Sequence, residues 1–401
     1  MFLERLVSFF GIFVLIGIAW LFSTNRKAVK LKIVITGVLF QVVLGFLILW
    51  TPPGKFVFEV AKEFITKIIS FSDAGATLVF GEGFREHFFA FSVLPTIIFV
   101  SSLMSILFYW GWIQKVVQVM ATLMMKVMDV SGAESLAASA NVFVGQTEAP
   151  LVVKPYIASM TNSELMALMT GGMATIAGGV MAAYVSFGAD PGHLLAASIM
   201  SAPASLLVAK VLVPETEVSK TKGVVKIDIP IDDANVLDAA CRGASEGLKL
   251  ALNVGAMLIA FVALAALINY GLSFIPLIAG APLTVERILG WAFAPIAWVI
   301  GVPSQDISAV GSLLGKKMFL NEFVAYLDLK EMKGVISDRS FIISTYALCG
   351  FANFSSIAIQ IGGIGSLVPE RRKDLAIYGL RAMIGGTIAA LMTATIAGIL
   401  I

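Results

Sequence analysis

Apolar runs long enough to cross a bilayer alternate along this chain with short polar breaks. A helix that spans the hydrocarbon core needs about 20 mainly apolar residues. Stretches of that kind cover 3–22, 33–50, 91–112, 163–187, 193–213, 248–274, 341–365 and 380–400, and they predict eight spans. Segments 113–130 and 285–300 are shorter. They carry Lys115, Lys126 and Asp129, or Glu286 and Arg287, and read as amphipathic helices at the membrane surface. Segment 58–71, after Pro52-Pro53-Gly54, reads the same way on the outer side. Two further stretches, 131–158 and 304–329, are apolar but interrupted by polar residues at their centres. Such segments suit re-entrant helical hairpins.

The order of amphipathic helix, broken segment, span and span occurs before residue 214 and returns after 274. The local sequence echoes too, with Gly172-Met173-Ala174-Thr175 matched in form by Gly350-Phe351-Ala352-Asn353. Each follows a broken segment holding one glutamate, Glu148 or Glu322. One span lies between the copies, so the second must insert with inverted topology. Inverted repeats with broken helices place a substrate site near the midplane. The expected fold is an all-α polytopic membrane protein of eight transmembrane helices and two re-entrant hairpins related by an inverted repeat. It divides into 1–112, 113–213, a linker at 214–242, a lone span at 243–275, and 284–401.

Composition narrows the class. Hydrophobic residues make up 58% of the chain and charged residues 13%, about half the usual charged share. That excludes a soluble enzyme, a disordered chain and a disulfide scaffold. The net charge of +2 gives no basic excess for nucleic acid. Cys241 and Cys349 lie far apart, without metal-binding spacing. No cleavage-site pattern follows the first apolar run, so it reads as a retained span. Basic residues cluster at Arg26, Lys27, Lys30 and Lys32, at Lys220, Lys222, Lys226 and Arg242, and at Arg371, Arg372 and Lys373. With eight spans these loops share one side, which the positive-inside rule makes cytoplasmic. Both termini are then expected outside.

The chemistry-bearing residues sit in the breaks. Gly145-Gln146-Thr147-Glu148-Ala149-Pro150 interrupts an apolar segment. A glutamate at membrane depth is costly and marks a site, and Gln146 and Thr147 add neutral donors and acceptors. Glu322, in Asn321-Glu322-Phe323-Val324-Ala325-Tyr326, is its counterpart, and its carboxylate suits vicinal hydroxyls. An ion pair with Lys316 or Lys317 is the plainer reading of Glu322. Asn353 and Ser356 lie three apart in the polar island 350–357, on one helix face if the helix continues. Four glycines at 171, 172, 178 and 179 loosen the fourth span. Thr175 with exposed carbonyls and Asn141 suits a hard cation such as Na⁺; packing of small residues explains the glycines equally well. No Ser/His/Asp set, phosphate loop or zinc spacing is present.

Together, residues 145–150, 321–326 and 350–357, with Gln360-Ile361-Gly362-Gly363 and Pro369-Glu370-Arg371, resemble the concentrative nucleoside transporter family. The resemblance runs from about residue 92 to the end of the chain, and the two leading spans are similar to the short bacterial form. It implies a homotrimer in the bacterial inner membrane. Segments 1–112 and 243–275 would form the scaffold, and 113–213 and 284–401 a mobile transport domain working by elevator-type alternating access. It implies that Gln146, Thr147 and Glu148 bind the nucleobase, with Val180 packed near it. Glu322, Asn353 and Ser356 would bind the ribose, with Phe351 lining the pocket. Asn141, the Val144 carbonyl, Thr175 and the Ile176 carbonyl would hold Na⁺. The implied activity is inward symport of a nucleoside such as uridine, driven by the Na⁺ gradient. Proton coupling on the same fold stays open, and an intramembrane enzyme or a gated channel are the readings from other classes.

Overall fold

The computed structural model describes residues 2–87, 91, 93–223, 233–278 and 280–401, with only the backbone of 85–87. Among the described residues the chain is helical and forms no sheet. Helices α1 (Phe2–Leu21) and α2 (Leu31–Leu49) are followed by α3 (Pro52–Ser70) and α4 (Ser72–Phe80). Thr51 caps α3 by accepting from the Gly54 N–H, and proline opens its first turn. Helices α5 (Leu94–Tyr109) and α6 (Trp112–Met128) meet at a 74° bend. Gly111 makes that bend with φ +74°.

The first hairpin follows as α7 (Gly132–Ala140), a turn, and the short α8 (Ala149–Val152) and α9 (Lys154–Ile157). Next come α10 (Asn162–Ala174), α11 (Gly178–Ser186) and α12 (Pro191–Leu212). Beyond the linker lie α13 (Val236–Leu272) and α14 (Val285–Val299). The second hairpin is α15 (Ile307–Phe319) and α16 (Glu322–Glu331). The chain closes with α17 (Asp338–Leu348), α18 (Phe354–Leu367) and α19 (Arg372–Leu400).

Two boundaries differ from the sequence expectation. The predicted span 341–365 is two helices, because α17 ends at Leu348 and α18 starts at Phe354. By length and composition, six helical stretches among the described residues qualify as spans, or seven with the bent pair of α5 and α6. The expected linker at 214–242 also ends early. Asn235 accepts from the Leu237 and Asp238 N–H groups and starts α13 at Val236. The linker's residues 224–232, including Lys226, lie outside the described residues.

Long-range contacts set the topology. Arg5 donates to the Ile401 carbonyl, so both ends of the chain lie on one face. The Thr24 N–H donates to the Leu212 carbonyl at 2.9 Å, placing the α1–α2 loop beside the end of α12. The most apolar stretch of α13 is only 17% buried, against 89% for α12. Helices α1, α2 and α13 therefore present apolar surface outward, and α10, α12 and α19 form the interior.

Small residues set the close approaches. A Cβ at Gly243 or Gly247 on α13 would lie within 3 Å of Ser105, Ser101 or Ile98 on α5. A Cβ at Gly386 on α19 would lie 2.7 Å from that of Met173 on α10. Helices α7 and α10 both begin with capping boxes, Ser131/Glu134 and Thr161/Glu164. The buried Lys210 of α12 pairs with Glu134 at 2.6 Å and Glu215 at 3.2 Å. It also donates to Ser163. This knot ties the start of the first hairpin, the start of α10 and the linker to α12.

Candidate functional site

The centre of the molecule is built from helix ends rather than helix sides. Helix α10 stops at Ala174 and α11 restarts at Gly178, while the chain from α17 to α18 breaks over residues 349–353. The two breaks cross. The Phe351 N–H donates to the Thr175 carbonyl at 3.2 Å. A Cβ at Gly350 would lie 2.9 Å from the Met173 and Ala174 carbonyl oxygens, so only glycine allows this approach. The echo between 172–175 and 350–353 is not a match of position. Thr175 closes α10, whereas Asn353 opens α18.

The second hairpin delivers Glu322. Asn321 caps α16 by accepting from the Val324 N–H at 3.0 Å, which puts Glu322 in the first turn, where the helix dipole favours an anion. Glu322 is 4% exposed. Its carboxylate accepts from the Tyr184 hydroxyl at 3.0 Å and the Asn353 Nδ2 at 2.9 Å. The Asn353 Oδ1 accepts from the Ser356 N–H and caps α18, so its NH2 must turn toward Glu322. The alternative of a lysine ion pair is not what is found. Lys316 pairs with Asp328 and Glu286, and Lys317 donates to the Ala347 carbonyl at 2.8 Å.

The first hairpin delivers Gln146, which is buried, and Thr147 and Glu148, which are exposed. Gln146 donates to the Ser356 hydroxyl at 3.1 Å, joining the two halves directly. Glu148 departs from the expectation of a buried carboxylate. It accepts from Thr147 at 3.0 Å and faces a cavity of about 470 Å³ between the hairpin tip, α5, α11 and the start of α13. Ala149, Pro150, Val152 and Val153 behind it are buried, as their apolar character requires. Val180 is 2% exposed on α11, one turn before Tyr184. Phe351 is half-buried in the second break.

A third cluster lies where α7 and α10 both end. Asn141, Thr175 and Ile176 are buried and Val144 is half-buried. The Asn141 Nδ2 donates to the Ala137 carbonyl, but its Oδ1 is buried with no hydrogen-bond partner. Among the described residues no hydrogen bond reaches the Val144 or Ile176 carbonyl. Thr175 donates to Gly171, and a Cβ at Gly171 would lie 3.3 Å from the Asn141 Nδ2. Two helix C-termini point their partial negative charge here. An orphaned oxygen beside free carbonyls fits a hard, oxygen-liganded cation.

Sequence reasoning assigns no role to two residues of this centre. Tyr184 supports Glu322 and stacks on Tyr326 with ring centroids 4.1 Å apart. Gln360 is 1% exposed and donates to Gln146. A glutamine inside an apolar run was the available signal for the second. Tyr184 carried none, since a tyrosine near a span end is ordinary.

Family models described as the N-terminus and C-terminus of a Na⁺-dependent nucleoside transporter match residues 10–83 and 193–398. A model described as nucleoside recognition matches residues 90–191. The human solute carrier family 28 member 3 is 45% identical over 99% of this chain, which spans 60% of that protein's length. An uncharacterized transporter of Haemophilus influenzae is 46% identical, over 99% of this chain and 98% of its own. The structure of CNTnw in an inward-facing, substrate-bound state superposes with a TM-score of 0.92 at 44% identity, over 99% of this chain and 98% of that one. The chain belongs to the Na⁺-dependent nucleoside transporter family.

Proposed function

We propose that this member of the Na⁺-dependent nucleoside transporter family is a secondary active symporter, not an enzyme, that brings nucleosides such as uridine inward with Na⁺. The observation that carries the proposal is the crossing of the two broken spans. It gathers Gln146, Glu322, Asn353 and Ser356 into one polar cluster beside the orphaned oxygen of Asn141. Glu322 and Asn353 are ready to exchange bonds with sugar hydroxyls. Gln146, Thr147 and Glu148 meet the base, Val180 packs against it and Phe351 lines the pocket. The Gln146–Ser356 contact separates when substrate enters between base side and sugar side.

Na⁺ is the co-transported ion, held by Asn141, Thr175 and the Val144 and Ile176 carbonyls. Val144 lies two residues before Gln146 and Ile176 lies inside the α10–α11 break. Ordering those carbonyls around an ion fixes the hairpin tip in its substrate-binding form. Ion and nucleoside then stabilise the same state, which is the requirement for coupling.

The hairpins and broken spans move as a transport domain against a scaffold that includes α5 and α13. The apolar outer faces of α1, α2 and α13 meet lipid or partner copies in a homotrimer. The cavity beside Glu148 is lined by Asp233, Arg242 and Glu246 near the linker. With the linker cytoplasmic and both termini outside, this cavity is the inward release path across the bacterial inner membrane.

The test is labelled uridine uptake into proteoliposomes under an inward Na⁺ gradient or an inward H⁺ gradient. Accumulation driven by Na⁺ alone is expected, and Asn141→Leu should abolish that dependence. Accumulation driven only by H⁺ would remove the sodium site. No accumulation by folded, inserted protein would remove the nucleoside reading.

A further inference from the structure

The Gln146 side chain has two faces, and nothing in its own hairpin decides which atom turns toward the substrate. Carboxamide oxygen and nitrogen are nearly the same size, and their assignment follows from the surrounding hydrogen bonds. Here the decisive neighbour lies on the opposite repeat. The Gln360 Nε2, on α18, is 3.0 Å from the Met169 carbonyl of α10 and 3.1 Å from the Gln146 Oε1. A backbone carbonyl only accepts, so the Gln360 NH2 must face Met169. One of its protons serves Met169 and the other serves Gln146. The Gln146 atom that receives it must be the oxygen. The Gln146 NH2 is then left facing Ser356, 3.1 Å away, at the meeting of the two halves of the site.

Three further observations show that this arrangement is built. Gln360 is 1% exposed, so no water competes for its protons. Its Oε1 is buried without a partner. The opposite rotamer would set that oxygen against the Met169 carbonyl, acceptor to acceptor. Gly172 makes the room, since a Cβ there would lie 2.7 Å from the Gln360 Nε2 and 2.9 Å from the Gln146 Cβ.

We propose that Gln360 is a positioning residue for the base side of the site. By donating to both Met169 and Gln146, it locks the Gln146 carboxamide with its NH2 turned into the site, so that Gln146 reads an acceptor atom on the substrate. This rests on the nucleoside reading above. The polarity of a residue in the first repeat is thereby fixed by a residue in the second.

The test is a double-mutant cycle on uridine binding by the purified full chain, with folding checked by thermal melting. Gln360→Met keeps the side chain's length and removes its donor. Alone, it should weaken uridine binding about fivefold to twentyfold. In a Gln146→Ala background it should add less than about twofold, because Gln360 acts only through Gln146. Equal losses in both backgrounds would overturn the inference. A second variant leaves Gln360 intact and applies even where Gln360→Met does not fold. Gln146→Glu still accepts from Gln360 but cannot donate into the site, so its loss should equal that of Gln146→Ala. Uridine affinity within about twofold of wild type in Gln146→Glu would overturn the polarity. Wild-type protein that binds no nucleoside would overturn both the site reading and this inference. Wild-type binding with additive losses would overturn this inference alone.

Discussion

The two hairpins each bring one glutamate to the centre of the protein, and they do so in opposite ways. The tip of the first is a non-helical turn over 141–148, with Glu148 exposed to a cavity and hydrogen-bonded to its neighbour Thr147. The second turns between Phe319 and Glu322, with Glu322 in the first turn of α16, buried and held by Tyr184 and Asn353. A buried, fully bonded carboxylate is preorganised, and a substrate group exchanging with its partners costs little rearrangement. A carboxylate in a wet cavity keeps its freedom and can reach its partner through water. On the proposed reading, the dry side would hold the group every nucleoside shares, the sugar, and the wet side the base, which differs between nucleosides.

The largest effect should come from breaking the dry side. Glu322→Gln keeps the shape and removes the charge that Tyr184 and Asn353 are arranged around. We expect a loss of about 1–3 kcal/mol in uridine binding, read by calorimetry. Unchanged affinity would mean that the buried glutamate does not touch substrate. Tyr184→Phe should cost less, about 1 kcal/mol, because one of two supports of Glu322 goes while the stack on Tyr326 stays. Its loss should be greater for uridine than for 3′-deoxyuridine, if Glu322 meets the sugar. An equal loss for both would make Tyr184 a packing residue only.

On the wet side, Glu148→Gln should cost under about 1 kcal/mol for uridine, and the cost should vary from base to base. A loss as large as that of Glu322→Gln would erase the contrast between the hairpins. The smallest effect lies outside both. Burial alone would raise the Asp190 carboxyl, but Lys62 at 2.8 Å and the neighbouring His193 outweigh it and hold it below its usual value of 3.8. A depressed carboxyl adds stability above its unfolded pKa and loses it as pH falls through the folded one. The Lys62–Asp190 contribution to the melting temperature should therefore be constant from neutral pH to about pH 5 and fade only below 3.8. Asp190→Asn should remove that acid dependence. A contribution that faded already near pH 6 would show that Lys62 does not hold the carboxyl down.

Much of this was legible in the residues. The breaks at 141–148, 175–177, 320–321 and 349–353 lie within segments whose glycines and polar residues interrupt apolar runs. Glu148 and Glu322 were marked by the cost of a carboxylate at membrane depth, and Asn141 and Thr175 by their oxygens beside the glycine-loosened fourth span. The split of the predicted span 341–365 was announced by its polar island, although its length still read as one helix. The apolar run after Glu148 argued against its exposure, yet Ala149, Pro150, Val152 and Val153 are buried while the Glu148 carboxylate points the other way, into the cavity that Leu151 also lines.

The sequence by itself determined the class, the helices and the places where they stop. Those follow from local rules: hydrogen bonds four residues apart, capping side chains, and the cost of polar groups in lipid. Only the tertiary structure decided which breaks cross, which glutamate is dry, and that Tyr184 and Gln360 each support a residue of the opposite repeat. Tyr184 reaches Glu322 across 138 positions and Gln360 reaches Gln146 across 214. At such separations no periodicity or propensity carries information. The pairing is set by close packing alone, through the absent side chains of Gly172 and Gly350 that let the two repeats touch.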